Sequence, residues 1–377
     1  MNNISIIVKP TLACNIGCRH CYHGHANPDT QMSFETLERT IRLASEEYGS
    51  AWFIWHGGEP LLLPLRFYKK AMELQEKYFG KGSFRVSNTI QTNGILLDKR
   101  SVNFCAENKI NVGISYEGPC NDILRSGTDD VEKNIGMMKK GGHMFSVSST
   151  ISRDAVKDMN LIYNGTVKRG VALSLSPAIC SGSATPDMIP DADEYADASI
   201  SLFSEWLYDP NAEMPLMPHL QYIASVLGEQ SPSDCSRSSC LMKWISVYPN
   251  GDLYPCGKGC PPEFKLCNIA DVDHLSDAFR TDAMKELFAA TIERREKCRN
   301  ECDIFAYCNG GCSVDALSEG SMSDNGGASC RIFKKVFSHI RDAINDILEN
   351  RRDLSRYNRF VREAVIGKLV NPKMVSI

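Results

Sequence analysis

Short apolar runs recur through the first half of the chain at intervals of about 30 residues, over 4–8, 52–55, 85–91, 112–116, 144–151 and 171–176. Each has the length of a strand and is too short for a buried helix. Between them the apolar positions take a helical period. The clearest case starts at Ser33, a good N-cap, and sets Phe34, Leu37, Ile41 and Ala44 on one face before stopping near Gly49. Further helices are expected over 64–79, 98–108, 131–141, 154–169 and 192–208. Strand then helix, six times over, predicts an α/β fold with a parallel sheet and right-handed crossovers. Six units fall short of the eight strands that usually close such a barrel. In either form the active site lies at the C-terminal ends of the strands, where the following loops converge.

Those loops carry the chemistry-bearing residues. Cys14, Cys18 and Cys21 follow the first strand, and His56-Gly57-Gly58-Glu59-Pro60 the second. Gln91-Thr92-Asn93-Gly94 follows the third, and Ser115-Tyr116-Glu117-Gly118-Pro119 the fourth. After about residue 215 the pattern changes. The stretch 216–340 is poor in long periodic segments and rich in Pro, Gly, Ser and Cys, so metal must supply much of its folding free energy. A closing amphipathic helix or helix pair is expected over about 332–369. The expected units are a barrel at 1–215, a cysteine-rich domain at 216–340 and a helical tail at 341–377.

A length of 377 residues suits two or three domains. A net charge of −4 gives no footprint for nucleic acid. No apolar run approaches a membrane span and the chain opens without a signal-like segment, so a cytoplasmic protein without a membrane partner is expected. Sixteen cysteines then change the picture, because a reducing compartment favours metal ligation over disulfides. Ten of them crowd between Cys235 and Cys330.

The run Cys14-x3-Cys18-x2-Cys21 places three thiolates on one loop. A [4Fe–4S] cluster takes four, so three leave one iron open to a ligand. The alternative is a zinc knuckle completed by His20, His23 or His25. This run, with the aromatic His20 before its last cysteine, resembles the signature loop of the radical S-adenosylmethionine (SAM) enzymes. Gly57-Gly58-Glu59-Pro60 and Thr92-Asn93-Gly94 also stand where that superfamily has its motifs. The resemblance implies a partial (β/α)6 barrel. It further implies an open iron that chelates SAM, and reductive cleavage to methionine and a 5′-deoxyadenosyl radical. Gly57 and Gly58 would let the backbone approach the methionine moiety, with Glu59 accepting from its ammonium. His20 would lie near the adenine, Asn93 and Ser115 would bond the ribose or carboxylate, and Arg125 would pair with the carboxylate.

The later cysteines read Cys235-x4-Cys240-x15-Cys256, then Cys298-x3-Cys302-x5-Cys308-x3-Cys312, then Cys330. Eight thiolates suit two further clusters. The series resembles the SPASM extension of peptide-modifying radical SAM enzymes, with one extra residue between Cys298 and Cys302. Carried over in order, Cys235, Cys240, Cys256 and Cys312 would hold one auxiliary [4Fe–4S] cluster. Cys298, Cys302, Cys308 and Cys330 would hold the other, making three clusters in all. Cys260 and Cys267 fall outside the pattern, and Cys105, Cys120 and Cys180 are expected to pack. Relatives of this architecture crosslink precursor peptides or form formylglycine in sulfatases. The formylglycine enzymes carry an aspartate base directly after the cysteine matched by Cys256, whereas this chain has Gly257. Thioether crosslinking of a ribosomal precursor peptide is therefore expected, with formylglycine formation the alternative and a non-catalytic electron carrier a third reading. A reductant such as flavodoxin or ferredoxin is expected. Because Cys14 stands so near the start, a leader peptide would be recognised by the barrel rim, the C-terminal helices or a separate protein.

Overall fold

The computed structural model describes residues 3–24, 30–81, 85–228, 240–258, 262–350 and 353–370. All six expected strands form: β1 Asn3–Val8, β2 Ser50–Trp55, β3 Val86–Thr92, β4 Ile110–Ser115, β5 Phe145–Ile151 and β6 Ala172–Pro177. They pair in parallel in chain order, and β7, Leu216–Met217, continues the series on β6. The cysteine-rich stretch joins the same sheet. Its strand β8, Trp244–Val247, lies parallel to β1. The short antiparallel strands β9, Asp252–Tyr254, and β10, Cys267–Asn268, follow to give the order β10-β9-β8-β1-β2-β3-β4-β5-β6-β7.

Period-two alternation gives the sheet two different faces. Ile4, Ile6, Val8, Phe53, Trp55, Val147, Ile151 and Leu173 are buried in the core. Neighbouring positions Ser148, Thr150, Ser174 and Ser176 put hydroxyls into a cavity on the other face. The sheet thus builds a packed side and a hydroxyl-bearing, cavity-facing side from the same strands.

The helix Phe34–Glu47 starts as expected, with the Ser33 hydroxyl accepting from the Thr36 amide at 3.0 Å. Its Arg39 reaches across to the cysteine-rich stretch, donating to the Ile269 carbonyl at 2.7 Å and the Val272 carbonyl at 2.6 Å. The expected helix over 154–169 is broken into Arg153–Asp158, Met159–Thr166 and Val167–Arg169, of which only the middle piece is α-helical. There the Thr166 hydroxyl bonds back to the Ile162 carbonyl, a contact that competes with a regular helix. The chain closes on the helices Ala328–Asn350 and Arg359–Val370. The former packs on Ala192–Leu207, with Lys335 paired to Asp193 and Asp197. Among the described residues no helix is long and apolar enough to cross a membrane.

Candidate active site

The loop after β1 is pressed against the loop after β2. The Gly58 amide donates to the Thr11 carbonyl at 3.0 Å and the Glu59 amide to the Ala13 carbonyl at 2.8 Å. A Cβ at Gly57, whose φ is +125°, would stand 2.4 Å from the Thr11 carbonyl oxygen, and one at Gly58 only 2.0 Å from that of Ala13. Glycine is required because two backbones of this protein meet there, ahead of any ligand. Gly58→Ala must push the cysteine loop away. It is expected to destabilise the protein by about 1–3 kcal/mol, read as a lowered melting temperature together with weaker SAM binding.

Glu59 lies beneath the cavity. It is 1% exposed and does not line the cavity. Its carboxylate accepts from the Leu61 amide, the Thr92 hydroxyl and the Asn93 amide at 2.8–2.9 Å. Three donors fixed beneath the surface make it a clasp between the loops after β2 and β3. Burial raises its pKa, against the opposing pull of those donors.

The other expected contacts do meet at one place. Cys14, Cys18, Cys21, His20, Gly57, Gly58, Asn93, Ser115 and Arg125 all line a single cavity of about 680 Å³. Asn93 donates to Asn15 at 2.8 Å on the cysteine loop, and Ser115 accepts from Gln91 at 2.9 Å. Arg125 is held by Glu117 at 2.7 Å and stands 3.5 Å from the Cys18 sulfur and 3.2 Å from the His20 ring. Burial pushes the Cys18 thiol up to about 11 against the lowering effect of Arg125. The His20 imidazole falls to about 3 through burial and the same cation, so it is neutral at pH 7. The Glu117 carboxylate also accepts from the Thr150 amide at 3.0 Å, tying Arg125 to β5.

Deeper in the cavity wall lies a buried polar network with no local signature in the sequence. Lys9, fully buried, donates to the Tyr248 hydroxyl at 2.9 Å, while the Tyr22 hydroxyl stands 3.1 Å from His56. Burial and the charge of Lys9 draw the His56 pKa down to about 4. The alternation of buried residues in β1 carries no signal for Lys9, because the strand ends at Val8. Gly182 is a second such feature: its φ is +61° and a Cβ would stand 2.3 Å from the Cys21 carbonyl, so the loop after β6 clamps the cysteine loop.

The far wall brings in the cysteine-rich stretch through Cys298, Cys302, Cys308, Cys312 and Cys330. Their mutual influence falls into two groups. Cys308 is pushed up to about 12 by burial and then by Cys330, with Cys298 and Cys302 adding to it. Cys312 is raised by burial, then by Asp315, and Cys256 contributes as well. Cys235 and Cys260 lie outside the described residues. Cys267 is half-buried in β10 and packs on the core, and Cys105 and Cys120 are buried there. Cys180 corrects an expectation: it is exposed rather than packed, its thiol directed at the Ala184 carbonyl. Among the described residues no three His, Cys, Asp or Glu side chains converge as closely as a single ion requires. The donor set, three thiols on one loop facing the cavity, fits a thiolate-bound iron–sulfur group with SAM beside it.

Gly257 sits against β1, where a Cβ would stand 2.2 Å from the tip of Ile7. The nearest carboxylate along the chain in this wall is Asp315, paired with Lys258 at 2.8 Å.

Residues 8–151 match the family model of the Radical SAM superfamily, so this part of the chain is a radical SAM domain. The serine-type anaerobic sulfatase-maturating enzyme of Bacteroides thetaiotaomicron is 28% identical over 383 residues, covering 89% of this chain and 89% of the relative. The cysteine-type anaerobic sulfatase-maturating enzyme of Clostridium perfringens is 26% identical over 376 residues, covering 93% of this chain and all of the relative. A solved structure described as native anSMEcpe with bound AdoMet and Cp18Cys peptide superposes with a TM-score of 0.80 at 23% identity, over 93% of this chain and 100% of the other.

Proposed function

We propose that this radical SAM enzyme removes two electrons from a peptide or protein side chain held in the cavity and joins a cysteine sulfur to carbon. When bound, the iron–sulfur cluster and SAM supply the hydrogen-abstracting radical. Cys14, Cys18 and Cys21 would hold that cluster. Gly57, Gly58, Asn93, Ser115, His20 and Arg125 shape the SAM pocket, with Glu59 locking its loops. Two auxiliary [4Fe–4S] clusters, on Cys235, Cys240, Cys256 and Cys312 and on Cys298, Cys302, Cys308 and Cys330, would take the electron left on the substrate. An external donor of flavodoxin or ferredoxin type would reduce the first cluster. A peptide substrate is supported by the structural neighbour that holds one.

The choice of product rests on Gly257. Formylglycine formation needs a base within about 2.6–3.2 Å of the substrate proton. Glycine supplies none, and the space a side chain would take is filled by Ile7. The balance is simple: one S–H and one C–H are lost, one S–C bond forms, and two hydrogens leave. The second reading, sulfatase maturation, is favoured by the likeness over nearly the whole chain to enzymes of that name.

Mass spectrometry separates them. With SAM and a reductant, a cysteine-rich precursor peptide is expected to lose about 2 Da per crosslink, the two hydrogens of a two-electron oxidation. A sulfatase-type peptide containing Cys-x-Pro-x-Arg is expected to give little aldehyde. Efficient aldehyde formation would reverse the order of the two readings.

A further inference from the structure

Among the described residues Arg294 is the most deeply buried cation of the cysteine-rich stretch, 2% exposed, and no carboxylate there pairs with it. Its guanidinium donates instead to neutral acceptors: the Gly310 carbonyl at 2.7 Å, the Ser313 hydroxyl at 2.9 Å, and the Met322 and Gly311 carbonyls. Those bonds satisfy its hydrogens but leave its charge uncompensated. A buried charge without a counter-ion costs several kcal/mol, so the fold keeps Arg294 for something anionic. The groups acting on its charge are four thiols, Cys312, Cys298, Cys308 and Cys240, which oppose the lowering by burial.

The placement is specific. Arg294 precedes Cys298 by one turn of the helix Asp282–Glu301, and two of the three carbonyls it holds belong to Gly310 and Gly311, which lie between Cys308 and Cys312. Both glycines, and Asn309 before them, are left-handed, with φ of +91°, +72° and +52°. A run of three such residues makes a tight corner in the chain between Cys308 and Cys312. Metal-bound cysteines are thiolates, so each loaded site carries net negative charge, and each electron added makes it more negative.

We propose that Arg294 is the shared counter-charge of the two auxiliary clusters and raises the reduction potential of both. This rests on the two-cluster reading above. A fixed positive charge stabilises the reduced, more negative form, which eases uptake of the substrate's electron. Its loss must move both potentials in the negative direction.

The test uses the full chain with Cys14, Cys18 and Cys21 replaced by Ala, so that only auxiliary clusters report, and compares Arg294, Arg294→Lys and Arg294→Met. Iron content and potentials from redox titrations followed by electron paramagnetic resonance are measured. If the unmodified chain holds only about four irons and this parent none, the two-cluster reading fails, independently of Arg294. With about eight irons bound, Arg294→Met is expected to titrate at more negative potentials and Arg294→Lys close to the parent. Parent-like potentials in Arg294→Met, or an equal shift in Arg294→Lys, would overturn the proposal. Should Arg294→Met take up no iron, loading of Arg294→Lys at parent-like potentials supports the role of charge. Failure of both to load would assign Arg294 to scaffolding alone.

Discussion

Replacing Cys14, Cys18 and Cys21 together by Ala is expected to remove about four of about twelve iron atoms from anaerobically reconstituted protein and to abolish SAM cleavage. The two losses must coincide, because the three thiols proposed to hold the cluster face the pocket built by Gly57, Gly58, Asn93, Ser115 and Arg125. The fold is expected to survive. The loop is tied down by bonds that do not pass through sulfur, from the Arg19 amide to the Leu124 carbonyl at 2.8 Å and from the Ser183 amide to the Cys21 carbonyl at 2.9 Å. Unchanged circular dichroism with lost iron and no 5′-deoxyadenosine is the expected result. Continued release of 5′-deoxyadenosine would remove this loop from the chemistry. Loss of all twelve irons would mean that the cluster sites fold as one unit rather than separately.

The strands and most helices were legible because their signals are local. Period-two and period-3.6 patterns, a Ser33 cap and glycines at loop starts do not depend on distant partners. Chain order then fixed which loops converge, so the residues of the cavity could be named before any geometry was known. What stayed hidden was set by contacts between distant segments. Glu59 reads as a ligand group in a motif, and only its three donors from 61, 92 and 93 show it to be a clasp. The pairing of β8 with β1, 239 residues apart in the Ser5–Trp244 register, has no local signature, since three apolar residues and a serine in a cysteine-rich stretch suit many environments. Arg294 and Lys9 were invisible for a related reason. A basic residue in a polar stretch is ordinarily solvated, and burial at 2% and 0% emerges only when the surrounding loops are in place.

Glu117 illustrates how such hidden contacts reach function, and removing its charge is expected to cost more than removing most groups that touch the ligand. Its side chain is 1% exposed and that of Arg125 is 13% exposed, at 2.7 Å. Breaking one partner of a buried pair leaves the other uncompensated, at a cost of about 3–5 kcal/mol. Glu117→Gln keeps the volume and one acceptor for the Thr150 amide, so the loss isolates the charge. Arg125 would then retain only the Cys18 sulfur and the His20 ring as close partners. Its guanidinium is expected to turn towards solvent in the cavity, away from where a carboxylate would be bound. Glu117→Gln and Arg125→Met should each lower the denaturation midpoint, and the double variant should lose less than the sum of the two, because it leaves no orphaned charge. SAM binding by calorimetry should follow a different rule: it weakens in Glu117→Gln and is not restored in the double variant, since the cation itself is then absent. Stability coupled in this way with binding uncoupled would assign Glu117 to positioning and Arg125 to contact. A Glu117→Gln variant that keeps both its midpoint and its SAM affinity would show that the pair is incidental to the site.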